Sequence, residues 1–129
     1  MAQTMPNSGP GYAKRPDHRV DLEPGPHHVQ VIFNGEVIAD SMAAVTVNES
    51  TYPPVHYVPL ADVRQDVLRA SDHTSYCPFK GRANYWSLDV GGKRAENAVW
   101  AYNEPYDEVA ELKGKVAFYP SQVDQILID

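Results

Sequence analysis

From Val29 onward, the chain alternates apolar and polar residues over short stretches that turn residues separate. The first stretch alternates at Val29, Val31 and Phe33 and runs into Asn34–Gly35. That pair suits a two-residue turn in which both central residues have positive φ. The pattern therefore predicts a β-hairpin. Its predicted cross-strand partners are Phe33 with Glu36, Val31 with Ile38, and Val29 with Asp40.

Five further stretches have the length and composition of short strands. They cover residues 43–49, 55–58, 84–90, 98–103 and 116–119. Four apolar residues recur at helical spacing and predict one short helix, and they are Leu60, Val63, Val67 and Leu68. Residues 74–81 are predicted as a loop. The whole pattern predicts a mainly β fold of two packed antiparallel sheets with one short helix.

The first 28 residues differ from the rest in composition. They contain five of the 11 prolines and three of the eight glycines, with only scattered large apolar side chains. Such a segment buries too little apolar surface to offset its ordering entropy, so residues 1–28 are predicted to form a flexible N-terminal arm. Its three histidines, His18, His27 and His28, are expected to be solvated rather than bound to a metal. Residues 29–129 are predicted to form a single β-rich domain.

Charge and cysteine content exclude several classes of protein. Acidic residues number 17 against 11 Lys plus Arg, for a net charge of -6, which argues against a nucleic-acid binder. The single cysteine excludes an internal disulfide and a four-cysteine zinc site. The longest apolar run, residues 98–102, is far shorter than the roughly 20 residues of a membrane-spanning helix, and no export signal is evident. The sequence predicts a cytoplasmic protein with no metal, no cofactor and no membrane partner.

Several separated motifs together resemble one protein family. They are Asn34–Gly35 with residues 38–41, Glu49 with residues 52–54, Tyr57 and Pro59 with residues 62–63, residues 76–81, residues 83–86, Trp100 with Tyr102 and Pro105, and Gly114 with residues 117–119. Over about residues 29–124, the chain is similar to family 427 of the domains of unknown function. The resemblance implies a β-tent fold, in which two antiparallel sheets meet at a steep angle.

Relatives implied by that resemblance include the thalidomide-binding domain of cereblon and the methionine sulfoxide reductase B domain. Many of these relatives carry a four-cysteine zinc site, which a chain with one cysteine cannot form. The family is also sometimes labelled nucleotidyltransferase-like. The sequence has neither the Gly-Ser opening to a helix nor the closely spaced pair of aspartates that nucleotidyl transfer with two magnesium ions needs.

Cys77 is the candidate catalytic nucleophile. Lys80 follows it by three residues and His73 precedes it by four, and nearby positive charge favours the reactive thiolate. Glu49 is predicted to act as a base or to pair with Lys80. The alternative is that Cys77 is a small buried apolar residue in a tight turn that ends near Gly81.

Aromatic residues concentrate around the same segment. The predicted ligand-binding residues are Tyr57, Tyr76, Trp86, Trp100 and Tyr102, together with Arg82. If residues 84–90 and 98–103 pair as a hairpin, Trp86 and Trp100 are expected to line one pocket. The basic side chains beside these rings suit an anionic or carbonyl group. Filling the core is the alternative role for the rings.

Three functions remain open on the sequence alone. The first is a small-molecule-binding domain with an aromatic-lined pocket. The second is an enzyme in which Cys77 is the nucleophile, Lys80 stabilises an anion and Glu49 moves protons. The third is a structural or partner-binding module without chemistry. Exposed strand edges would also allow a homodimer.

Overall fold

The computed structural model describes residues 7–129, which form ten strands in two antiparallel sheets. The strands are β1 Val20–Pro24, β2 Val29–Phe33, β3 Glu36–Ser41, β4 Val45–Glu49, β5 Val55–Pro59, β6 Leu68–Cys77, β7 Gly81–Val90, β8 Lys93–Tyr102, β9 Lys115–Phe118 and β10 Gln125–Ile128. The larger sheet has the order β1-β4-β5-β9-β8-β7-β6, and the smaller sheet has the order β10-β2-β3. The predicted class, mainly β with two antiparallel sheets, is confirmed.

The predicted hairpin forms between β2 and β3, but its register differs from the prediction. The turn residues Asn34 and Gly35 have φ of 50° and 78°, and Phe33 pairs with Glu36 as expected. A bulge then shifts the ladder by one residue. The observed pairs are Val31 with Ala39 and Val29 with Ser41, so the predicted partners Ile38 and Asp40 are wrong. The extra residue is Ile38, and the bulge lets two consecutive residues, Ile38 and Ala39, both be buried in the core.

The helix predicted at residues 60–68 is wrong. Two three-residue 3-10 turns, Leu60–Asp62 and Gln65–Val67, replace it. Val63 and Val67 are nevertheless buried, so two separate turns produce an apolar spacing that resembles that of a helix. Leu68 begins β6 instead.

Other local predictions also change. The segment predicted as a loop at residues 74–81 belongs to β6 as far as Cys77 and then forms a tight turn. Among the described residues, the one α-helix is the four-residue Gly11–Lys14. Within residues 7–129, no helix combines the length and the hydropathy that crossing a membrane requires.

Two clusters of buried apolar residues occupy the two faces of the larger sheet. The first cluster lies between the sheets and includes Val31, Phe33, Val99 and Phe118. The second cluster includes Tyr57, Tyr85, Tyr102 and Leu112. Along β8, Val99 belongs to the first cluster and Trp100 packs against the second, as expected because successive side chains in a strand point to opposite faces. The register therefore decides which side chains share a site.

The N-terminal segment contributes a strand to the larger sheet. β1 pairs with β4, with Leu22 opposite Val47, and Val20 and Leu22 pack against the second cluster. The expectation of a flexible arm over residues 1–28 thus does not hold for β1, and residues 1–6 lie outside the described residues. Composition misled the prediction because an edge strand needs apolar residues on one face only.

Candidate functional site

An open cleft of about 560 Å³ lies on the face of the larger sheet that carries the second cluster. Six aromatic side chains line it, and they are Tyr52, Tyr57, Tyr85, Trp100, Tyr102 and Tyr119. Glu49 and Lys80 line it as well. Tyr85 is the cross-strand partner of Trp100, and the Tyr57 ring meets the Trp100 ring edge-on, with centroids 6.1 Å apart. We call this site the aromatic cleft.

A largely buried ion pair between Glu49 and Lys80 borders the cleft. Glu49 is the last residue of β4, and Lys80 lies in the turn between β6 and β7, where its backbone N–H donates to the Cys77 carbonyl at 3.2 Å. Only 9% of the Lys80 side chain and 16% of the Glu49 side chain are exposed. The other Glu49 oxygen accepts a hydrogen bond from His18 Nε2 at 2.8 Å. Both carboxylate oxygens of Glu49 are therefore engaged.

The N-terminal segment is seated on the turn that carries Lys80. The His18 ring stacks on the Phe79 ring, with centroids 3.9 Å apart and an interplanar angle of 21°. The Gly11 N–H donates to the Pro78 carbonyl at 2.9 Å, and a Cβ on Gly11 would meet the Phe79 ring at 2.8 Å. Sequence reasoning missed this role of His18 because the contact with Glu49 spans 31 residues, and no local pattern reveals it.

The hydroxyls of three tyrosines in the cleft, Tyr57, Tyr102 and Tyr119, are neutral at pH 7. Burial raises the pKa of Tyr57 and of Tyr102 above the ordinary value, and burial raises the pKa of Tyr119 to about 12. Trp100 Nε1 donates to the Tyr57 hydroxyl at 3.1 Å, which leaves the Tyr57 proton for another acceptor. The Tyr102 hydroxyl forms no hydrogen bond with any other residue of the described chain.

The polar groups of the cleft therefore include several free hydrogen-bond donors. The Lys80 ammonium carries three hydrogens, of which one is donated to Glu49 and one approaches the Cys77 Sγ at 3.9 Å, so one is free. The Tyr57 and Tyr102 hydroxyls add two more donors. Each Glu49 oxygen already accepts one hydrogen bond, one from Lys80 and the other from His18, and the Lys80 ammonium offsets the charge of the carboxylate. Such an arrangement suits a ligand group that accepts hydrogen bonds, namely a carbonyl or carboxylate oxygen.

Cys77 lies beside Lys80 but is not among the residues that line the cleft. The Lys80 Nζ is 3.9 Å from the Cys77 Sγ, and the half-buried Cys77 side chain packs against the second cluster. The structure thus brings together the three residues predicted as catalytic, Cys77, Lys80 and Glu49. A role for Cys77 as a nucleophile stays a prediction.

Trp86 lies away from the cleft, and the expectation that Trp86 and Trp100 line one pocket is wrong. Trp86 pairs with Val99 across the β7–β8 hairpin and packs against the first cluster. Cross-strand partners share a face of the sheet, so the two tryptophans lie on opposite faces. The partner of Trp100 is Tyr85, which was not among the predicted ligand-binding residues.

The sequence did contain a signal for Tyr85. A two-residue turn at Gly91–Gly92 places Val90 opposite Lys93, so each odd-numbered residue of β7 faces an even-numbered residue of β8. The irregularity between Trp86 and Leu88 moves the register by two residues, which leaves each side chain on its face. Counting from the turn would have placed Tyr85 opposite Ala98, which is on the same face of the sheet as Trp100 by strand parity.

Tyr76 and Arg82, also predicted to bind ligand, line a separate polar groove with Asn84, Asn103 and Tyr106. The two residues are cross-strand partners and therefore share a face, whereas the next residue of β7 packs in the second cluster on the opposite face. The Tyr76 hydroxyl is 2.6 Å from the Tyr106 hydroxyl. Of the residues predicted to bind ligand, those that line the aromatic cleft are Tyr57, Trp100 and Tyr102.

Metal-binding side chains are not grouped in the part of the chain that the structure describes. Across residues 7–129, no set of three or more His, Cys, Asp or Glu side chains is placed to hold a metal ion. His18 pairs with Glu49, and His28 pairs with Asp40 at 2.5 Å. These histidines therefore contact single carboxylates.

Glu49 links the stability of the fold to pH. Burial alone would raise the pKa of this carboxyl, but the hydrogen bonds and charges of Lys80 and His18 outweigh it and hold the pKa below 4.5. A carboxyl whose pKa is lowered on folding stabilises the protein above its unfolded-state pKa, and this contribution is lost as the pH falls through the folded-state pKa. We expect the free energy of unfolding to fall more steeply below about pH 5 in the wild type than in Glu49→Gln.

Urea denaturation at a series of pH values measures this difference. Glu96→Gln is the matched control, because the Glu96 side chain is 76% exposed, and it should keep the wild-type slope. Equal slopes for the wild type and Glu49→Gln would contradict the assignment of a lowered pKa to Glu49.

Comparison with known proteins places the chain in a family. No curated protein gives a significant match. A family model described as Domain of unknown function (DUF427) matches residues 21–129. The match begins within β1 and covers the other nine strands and the whole aromatic cleft, whereas His18 lies outside it. Because the model matches most of the chain, this protein belongs to the DUF427 family.

Proposed function

We propose that this chain binds a small planar molecule that carries a carbonyl or carboxylate oxygen. The observation behind this proposal is the aromatic cleft, where six aromatic side chains surround hydrogen-bond donors and the carboxylate of Glu49 is already engaged. The volume of about 560 Å³ falls within the usual range of small-molecule sites, roughly 300 to 1,000 Å³.

The rings favour a flat ligand. The Trp100 and Tyr119 rings lie 4.4 Å apart at an interplanar angle of 36°, and Tyr57 and Tyr102 extend the aromatic surface. Aromatic faces prefer offset-stacked or edge-to-face partners, and such contacts add to the burial of apolar area. The donors of Lys80 and Tyr102 then fix the orientation of the ligand, because each pairs with an acceptor oxygen.

The geometry favours binding over catalysis. The Lys80 Nζ lies 3.9 Å from the Cys77 Sγ, but Cys77 is not among the residues that line the cleft. A nucleophile must reach the bound molecule, so the position of Lys80 supports a role in ligand recognition instead. We also propose that the protein acts in the cytoplasm, where a single cysteine such as Cys77 is kept reduced.

Three ligands with the same ring test the proposal. Benzoate and benzamide present acceptor oxygens, whereas benzylamine presents only donors. We expect benzoate and benzamide to bind with a Kd on the order of 1 mM, so that about 20 mM ligand stabilises the fold by about 1.8 kcal/mol. NMR titration measures the Kd, and thermal denaturation measures the stabilisation of the fold. The net charge of -6 favours the benzylamine cation electrostatically, so preferential binding of benzoate would not be a charge artefact.

Matched tyrosine variants locate the binding. Tyr102→Phe keeps the ring and removes a donor of the cleft, so it should weaken benzoate binding about three- to tenfold, the effect of one hydrogen bond. Tyr76→Phe removes a hydroxyl in the separate polar groove and should leave the Kd unchanged. Equal binding of benzylamine and benzoate, or equal effects of the two variants, would contradict the proposed site.

A further inference from the structure

A second cleft, of about 330 Å³, opens at the edge of the core between the two sheets. Aliphatic and aromatic side chains from both sheets line it, among them Val29, Val31, Val58, Phe118, Ile126 and Ile128. We call it the apolar cleft. Across the described residues, its lining includes no Lys, Arg, Asp or Glu side chain, so it offers an occupant apolar contact and no ion pair.

The one titratable group of the apolar cleft is His56, and it is neutral at pH 7. Burial lowers the pKa of His56 below 6.5. Its Nδ1 lies 2.8 Å from the Thr46 hydroxyl, which itself donates to the Gly25 carbonyl at 2.6 Å. The cleft therefore contains no group that favours a charged occupant.

The apolar cleft adjoins the aromatic cleft. Four residues line both of them, and they are Pro54, Val55, Trp100 and Pro120. One Trp100 side chain thus borders the site of the hydrogen-bond donors and the site of the aliphatic side chains. A molecule bound in the aromatic cleft therefore has an apolar space on the other side of these shared residues.

We propose that the apolar cleft holds an aliphatic chain attached to the molecule whose ring and carbonyl oxygen occupy the aromatic cleft. This inference rests on the proposed function and adds that the ligand is amphipathic, with a flat polar head and a hydrocarbon tail. The shared residues support this occupant because they connect a donor-rich site to an uncharged one. Removing the tail from water provides the driving force, which grows with each CH2 buried.

Alkylated benzoates test the inference. Benzoate itself occupies only the aromatic cleft, whereas 3- and 4-alkyl benzoates with ethyl, butyl and hexyl chains extend from the same head. One of the two series, 3-alkyl or 4-alkyl, should direct its alkyl group into the apolar cleft. We expect the affinity of that series to rise about two- to fourfold for each added CH2. Isothermal titration calorimetry measures the Kd of each compound.

Variants in β10 show where the alkyl group of the ligand binds. Ile126 pairs with Val31 and lines the apolar cleft, so Ile126→Trp should fill the cleft and abolish the gain from the alkyl chain while the Kd of benzoate is unchanged. Leu127→Trp is the matched control, because Leu127 is the next residue, is 39% exposed and is not among the lining residues. It should keep the full gain. Ile128→Trp, at an exposed position of the same cleft, repeats the test if Ile126→Trp does not fold.

The outcomes separate the two proposals. Binding of benzoate without any gain from either alkyl series overturns the inference and leaves the proposed function in place. A gain that survives in the Ile126→Trp and Ile128→Trp variants also overturns it, since the tail would then lie elsewhere. Failure of every benzoate to bind overturns both proposals.

Discussion

Replacing Lys80 by methionine should lower the free energy of unfolding by about 2 to 3 kcal/mol, because the substitution leaves one charge of a largely buried pair uncompensated. Methionine retains most of the apolar stem, so packing changes little. The remaining charge belongs to Glu49, whose side chain is only 16% exposed. His18 stays as a partner of Glu49, and partial access of water moderates the loss. Urea denaturation at pH 7 measures the difference.

The double variant Lys80→Met/Glu49→Gln identifies the cause of that loss. Removing both charges together avoids the isolated carboxylate, so the double variant should be more stable than Lys80→Met alone. Arg64→Met provides a surface control, because Arg64 forms ion pairs with Glu36 and Asp66 while its side chain is 41% exposed. It should cost less than about 1 kcal/mol. A loss at Lys80 no larger than the loss at Arg64 would contradict the argument.

Local rules predicted the strands better than their pairing. The Asn34–Gly35 turn and the alternation of β2 were predicted correctly because both depend on neighbouring residues. The register beyond Ile32 depends on a bulge that lets Ile38 and Ala39 both be buried, and tertiary packing determines such a bulge. The two 3-10 turns around Val63 also depend on tertiary packing. The core requires Val63 and Val67 to be buried, and two separate turns bury them at the same sequence spacing as a helix would.

Some residues of the candidate site were predictable from the sequence and others were not. Glu49, Lys80 and Trp100 belong to the separated motifs that carry the family resemblance, and all three line the aromatic cleft. Trp86 was misplaced because the hairpin was predicted without the strand parity that decides which face each side chain occupies. The role of His18 could not be predicted from local sequence patterns, because it depends on the N-terminal segment folding back onto the turn at Phe79.

Replacing Trp100 by alanine should have the largest combined effect on stability and binding. The side chain packs against the second cluster and donates a hydrogen bond to the Tyr57 hydroxyl. Its removal should lower the free energy of unfolding by about 3 kcal/mol. It also removes a ring that borders both clefts, so the affinity for benzoate should fall at least about tenfold, the value of a stacking contact with its buried area. Urea denaturation and calorimetric titration report the two losses separately.

The chain's other tryptophan is the natural control for this prediction. Trp86 is also half-buried on a central strand, but it packs against the first cluster on the opposite face. Trp86→Ala should therefore destabilise the fold by a similar amount, about 3 kcal/mol, and leave the affinity of the folded protein for benzoate unchanged. The comparison separates a general loss of packing from loss of the site, because both variants create a cavity and only one opens the aromatic cleft. If both variants lost benzoate binding equally, the assignment of ligand recognition to the Trp100 face would be wrong.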